Sequence, residues 1–229
     1  MHFEIAYNPA HSLATAYLGP HESFRAEAQA MVSMSGTVRT ETTATSKGQG
    51  GFLRGLKRVA FGGESFFQNR FSTDGNPGQV CLAPALTGSM VVHELGIGRD
   101  LLIQGSSYVA SAETVELDTQ FQGLKSLFSG ESFFFLKASG QGPVLMNAFG
   151  AIEERELSGE LVVDTGHLVA FESGIEYTIG KAASGWIQSF LSGEGFVLRM
   201  RGHGKVWLQS RNPKEFGSTV GKLLPPREG

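Results

Sequence analysis

A chain of 229 residues with 18% charged residues and a net charge of −3 is long enough to bury a substantial core, as one domain or as a fused array. It exerts no overall electrostatic pull on nucleic acid or anionic lipid. Its single cysteine, Cys81, excludes an internal disulfide and, flanked by Val80 and Leu82, reads as an inert core thiol rather than a nucleophile.

The first residues, MHFEIAYNPA, have neither the basic nor the apolar region of a secretory signal. No apolar run approaches the roughly 20 residues that span a bilayer, so a reducing cytoplasm is the expected location. The 31 glycines point to many short strands joined by tight turns, because glycine accepts backbone angles that other residues avoid. Residues 43–51, TATSKGQGG, are the most loop-like stretch and read as an exposed insertion.

From there a pattern recurs. Gly55–Phe67 reads GLKRVAFGGESFF, Gly123–Gly140 reads GLKSLFSGESFFFLKASG, and Gly185–Arg199 reads GWIQSFLSGEGFVLR. Each copy holds a Gly-Glu pair, and the three glutamates, Glu64, Glu131 and Glu194, are 67 and 63 positions apart. Before each pair an apolar stripe at helical spacing (Phe52, Leu56 and Val59; Phe121, Leu124 and Phe128; Trp186, Ile187, Phe190 and Leu191) predicts a helix of one to three turns. Upstream lie Gln29–Val38 (QAMVSMSGTV), Ser107–Val115 (SYVASAETV) and Gly166–Ile175 (GHLVAFESGI). Downstream, each copy turns at Gly78, Gly142 or Gly204 into another apolar segment. Landmarks repeated in one order mark an internal repeat, with units at 1–86, 87–150 and 151–212 and a tail to residue 229.

Within the units strands dominate. Phe196–Arg201 (FVLRMR) alternates at period two, as one covered face requires. Phe133-Phe-Phe-Leu does not alternate, which predicts a strand covered on both faces. After Asn212-Pro213 the tail carries Leu223 and Leu224, and its end is expected to be disordered without a partner surface. The reading is all-β: three tandem sandwich-like repeats with short helical turns. Three such units side by side leave two terminal edges with unpaired backbone groups. A head-to-tail contact between chains would cover them and close if the rotation permits.

The combination of GGFLRGLKR and GESFF, then VELDTQFQGLKSLFSGESFFFLKASG, then VVDTGHLVAFE and KVWLQSRNP resembles the altered-inheritance-of-mitochondria (mitochondrial biogenesis) family over almost all of residues 1–213. That resemblance implies a fold similar to the tryptophan RNA-binding attenuation protein, with three small repeats of a shortened double-stranded β-helix. It also implies a homotrimer, placing nine units in a ring. The family's function is unassigned, so the resemblance carries over no catalytic or ligand-binding residue.

The residues themselves announce no chemistry. The six histidines, His2, His11, His21, His93, His167 and His203, include no two within five positions, so there is no local metal signature. His203, between Gly202 and Gly204, reads as a turn residue. Glu64, Glu131 and Glu194 read as structural, because acid–base work needs a second group within hydrogen-bond reach. In GQGGFLRGLKR, Leu56 separates Gly55 from Lys57 and Arg58 stands where a phosphate loop needs a hydroxyl. No cofactor, metal or catalytic residue is called for. Lys47, Arg54, Lys57, Arg58 and Arg70 concentrate positive charge in the first unit; Arg54, Lys57 and Arg58 are the candidates for contact with an anion or a partner.

The expected function is a non-enzymatic, ring-forming binding or assembly scaffold whose partner is itself. One alternative is a nucleic-acid-binding ring by fold analogy, against which the acidic balance counts. Another is a small-molecule binder or hydrolase with a pocket between units near Trp186 and Trp207, although aromatics there read better as core. Peripheral contact with a membrane surface is compatible with either arrangement of partners.

Overall fold

The segment Leu13–Leu18, LATAYL, buries Ala14, Ala16 and Leu18 and leaves Leu13, Thr15 and Tyr17 half-covered. This period of two is what a strand with one face on a core requires. A computed structural model describes residues 1–44, 67–120, 134–181 and 196–225, and 62% of the structure is strand.

The strands in chain order are β1 (His2–Ala6), β2 (Leu13–Leu18), β3 (Ser23–Glu27), β4 (Met31–Met34), β5 (Val38–Ala44), β6 (Phe67–Thr73) and β7 (Gly78–Leu82). Then follow β8 (Met90–Leu95), β9 (Leu101–Gln104), β10 (Tyr108–Ala112), β11 (Val115–Gln120), β12 (Phe135–Gly140) and β13 (Gly142–Asn147). The last four are β14 (Ile152–Asp164), β15 (Leu168–Glu172), β16 (Glu176–Lys181) and β17 (Phe196–Gln209), followed by a helix, α1 (Pro213–Gly221). The protein is all-β, in several antiparallel sheets.

The pairings form three sheets. A four-stranded sheet runs β1-β2-β7-β4; a six-stranded sheet runs β5-β6-β3-β10-β13-β8; and a seven-stranded sheet runs β11-β12-β9-β15-β17-β14, with β16 also on β17. Thus β2 pairs with β7 and β3 with β6; β8 pairs with β13 and β9 with β12; and the long β14 pairs along the whole of β17. Two pairings link these groups: β3 to β10 and β9 to β15.

The strands β4, β10 and β15 each meet their partner through a β-bulge at the first turn of the ladder. The register slips between Met31 and Ser33, between Tyr108 and Ala110, and between Leu168 and Ala170. The extra residue is a valine in all three: Val32, Val109 and Val169. A bulge re-aims the side chain it carries.

Three apolar cores result. One gathers Phe24, Phe71, Val80 and Leu82 with Val109 and Ala110 reaching in from β10. The next gathers Leu101, Ile103, Leu136 and Met146 with Val169, Ala170 and Trp207 reaching in from β15 and β17. The third gathers Val163, Phe171, Leu198 and Val206 with Leu102 and Phe135 reaching in from β9 and β12.

Two glycine sites set the path. The backbones of Gly88 and Gly150 bridge directly, and a Cβ on Gly88 would lie 1.9 Å from the Ala148 carbonyl oxygen, so no other residue fits. Gly159 and Gly202 face each other across β14 and β17 with φ of 113° and 129°. Both strands therefore bend together without losing their ladder.

That bend corrects one expectation. His203 is not in a turn; it lies within continuous β17 and pairs with Ser158. The start of the tail forms an element that the sequence reading did not name: Pro213–Gly221 is helical. Asn212 caps the helix by accepting from the backbone amides of Lys214 and Glu215, and proline stands in its first turn, where its missing N–H costs nothing.

Candidate functional site

The candidate feature is two of the sheet edges, β4 and the far half of β14. β10 lies between β3 and β13, β15 lies between β9 and β17, and their residues are buried almost throughout. β4 pairs with β7 on one side, has no strand on the other among the described residues, and leaves all four residues exposed. The bulge valines measure the contrast: Val109 is 1% exposed, Val169 0% and Val32 57%.

The second edge is the far half of β14. Its residues Leu161–Asp164 pair with Val197–Met200 of β17, as Leu101–Gln104 of β9 pair with β12. β9 goes on to pair with β15, whereas the outer side of β14 has no strand partner among the described residues. Val162 is 51% exposed there. Beside it opens a cavity of ≈ 390 Å³ lined by Leu161, Val162, Val163, His167 and Leu208 among others. Unpaired, apolar strand edges are sites where another chain adds on.

The junction of β3 with β10 is tied by charge as well as by packing. Glu113, in the β10–β11 turn, accepts from Arg25 at 2.5 Å and from Arg70 at 3.2 Å, and Arg70 also donates to the Ser23 hydroxyl at 3.0 Å. Lys137 pairs with Asp100 at 2.7 Å. Across the second and third cores, the indole of Trp207 donates to Glu154 at 3.0 Å while Lys205 donates to the same carboxylate at 2.5 Å. The Lys205 bond holds the Glu154 carboxyl below its ordinary range. His93 packs edge-on against Trp207 with ring centroids 5.0 Å apart. Burial pushes its pKa below the ordinary 6.5, with Glu172 pulling the other way. Burial alone raises the Glu27 carboxyl, and it drives the enclosed Tyr108 phenol upward as well.

No three His, Cys, Asp or Glu residues among the described ones group as a metal site would. His167 bonds the Gln209 carbonyl through Nδ1 at 2.8 Å, His93 lies on Trp207, and His203 stands in β17. Cys81 is half-buried beside the Thr15 hydroxyl, 3.7 Å away. The candidate contact residues Arg54, Lys57 and Arg58 lie outside the described residues, as do Lys47, Trp186, the glutamates Glu64, Glu131 and Glu194, and the three apolar stripes before them. Of the basic group only Arg70 is described, and it is engaged with Glu113. Sequence reading named none of the edge residues. Their signal was present in the aligned valines of QAMVSMSGTV, SYVASAETV and GHLVAFESGI.

The fold is that of an all-β protein in several antiparallel sheets, with β4 and the far half of β14 among its open edges. A family model described as mitochondrial biogenesis AIM24 matches residues 3–211, and the chain belongs to that family. An uncharacterized protein of Streptococcus pyogenes serotype M6 is 32% identical over 192 residues, covering 82% of this chain and 76% of that protein. The crystal structure of a Streptococcus pyogenes protein superposes with a TM-score of 0.79 at 27% identity, covering 97% of this chain and 99% of that one. The family has no assigned biochemical function. No helix among the described residues is long and apolar enough to cross a membrane.

Proposed function

We propose that this protein is a non-enzymatic scaffold that closes into a ring of three chains, each chain contributing three copies of one β unit (about 1–86, 87–150 and 151–212). The recurrence of the pairings supports the units. In the first, β2 and β4 flank β7 while β3 and β5 flank β6. In the second, β8 and β10 flank β13 while β9 and β11 flank β12. In the third, β14, β15 and β16 surround β17, which is a single strand where the others have two.

The observation that carries the reading is the junction that one chain lacks. The first unit joins the second through β3 and β10, and the second joins the third through β9 and β15. A third junction of that kind pairs β14 of one chain with β4 of another, each of which has a strand on one side alone among the described residues. Repeating an interface head to tail generates a ring when the rotation closes, and the family resemblance sets the count at three. An assembly of this kind is complete without a reactive site, and it presents nine similar units to whatever it organises in the cytoplasm.

Light scattering on the eluting protein tests the proposal. The expected mass is three chain masses; a single chain mass at micromolar concentration overturns it.

A further inference from the structure

We infer that the cavity at the open end of the third core is filled by the first unit of a second copy, with Val32 as the inserted side chain and Met34 directly opposite Val162. This rests on the ring reading above and specifies which atoms make the contact.

Two junctions already formed within the chain set the register. Ala110, Ser111 and Ala112 of β10 lie opposite Ala26, Arg25 and Phe24 of β3. Ala170, Phe171 and Glu172 of β15 lie opposite Ile103, Leu102 and Leu101 of β9. The two registers coincide when each is counted from its bulge valine. On β7, Ser33 and Met34 hold the places that Ala110 and Ser111 hold on β13. On β17, Val163, Val162 and Leu161 hold the places that Ile103, Leu102 and Leu101 hold on β12. The same register across copies therefore sets Ser33 opposite Val163, Met34 opposite Val162 and Ser35 opposite Leu161. A slip of one residue would turn every side chain to the wrong face.

The packing agrees with the register. At the first junction the incoming strand sends Val109 and Ala110 into the preceding core, accompanied by Leu145 of β13. At the second it sends Val169 and Ala170, accompanied by Trp207. The corresponding group on the first unit is Val32, Ser33 and Cys81, none of which is buried. The corresponding receptor on the third unit is the cavity of ≈ 390 Å³ walled by Leu161, Val163 and Leu208. Contacts run the other way as well. Leu102 of β9 reaches forward into the third core, and its counterpart Val162 is half-exposed facing the place where Met31 and Met34, both exposed, would arrive. The exposed Val32 lies in the first unit and the cavity that would receive it in the third.

The test is a set of paired cysteines in a Cys81→Ser background, needed because Cys81 neighbours Ser33 across β4 and β7. Directly opposed residues on antiparallel strands have Cα atoms about 4.5–5.5 Å apart, within disulfide reach. Met34→Cys with Val162→Cys is expected to oxidise to covalently linked chains, while Met34→Cys with Leu161→Cys or Val163→Cys is not. In the unsubstituted protein, labelling of Cys81 by a thiol reagent is expected to be at least about tenfold slower than in a Val32→Asp variant whose far-UV spectrum is unchanged. An intact three-chain mass with linkage only in the slipped pairs, or in none, overturns the register and leaves the ring standing. A single-chain mass for the unsubstituted protein overturns both. Equal Cys81 labelling in the two proteins overturns the filling of the cavity.

Discussion

Strands β4 and β15 are built alike and live differently. Each carries a bulge valine, β4 on β7 and β15 on β17, and each is short and apolar. Yet β15 is covered on both sides, with Val169 fully buried, while β4 is bare and Val32 is 57% exposed. The difference lies in what each strand has for a neighbour. β15 meets β9 on its outer side; β4 has no strand there among the described residues. Two strands with the same bulge residue thus differ in exposure with the neighbour that each has.

Substitutions at matched positions break this comparison most sharply. Phe171→Ala removes a ring packed against Phe135 and Tyr177, with centroids 5.3 and 5.0 Å away. It should cost about 3–5 kcal/mol in urea unfolding, enough to unfold a marginal chain. Val169→Ala should cost about 2 kcal/mol, as expected for a fully buried valine. At high dilution Val32→Ala should cost less than about 0.5 kcal/mol. Equal costs for the two valines in dilute protein would contradict the comparison.

Smaller effects sharpen it. Asn212→Ala should weaken α1 by about 1 kcal/mol, read as lost helical signal in circular dichroism with the sheet signal intact. Glu113→Gln should cost up to about 1 kcal/mol, because the group and its arginines are each about a third exposed and partly screened. The cost should shrink at high salt. The smallest expected effect concerns pH. Burial lowers the His93 pKa below 6.5, so as pH falls the unfolded chain takes up that proton first and stability declines from pH 6.5 down to the folded pKa. The decline in melting temperature between pH 7 and pH 5 should be shallower in His93→Gln; an identical slope would remove His93 from the account.

The strand content was legible because period-two burial leaves a direct mark. Phe196–Arg201 alternates and is strand, and from Leu198 to Arg201 buried and exposed residues alternate. His203 was misread because glycines on both sides signal a turn equally well as a paired bend, and only the facing Gly159 distinguishes them. The helix α1 was missed although Asn212-Pro213 is an ordinary start signal; none of its residues is buried and its Phe216 is half-exposed, so no periodic buried stripe drew attention to it. The open edges were anticipated only in general terms. Val32, Val109 and Val169 are the same residue in similar surroundings, and nothing local to a sequence says which of three valines has no core to enter.

Amide hydrogen exchange followed against protein concentration addresses the proposed missing junction most directly. Ring closure predicts that the backbone amides of Val32–Met34 and Leu161–Asp164 are protected in concentrated protein and lose protection together on dilution, while those of β10 and β15 do not change. Protection at the two edges that is absent at every concentration, or that never varies with it, would contradict the account.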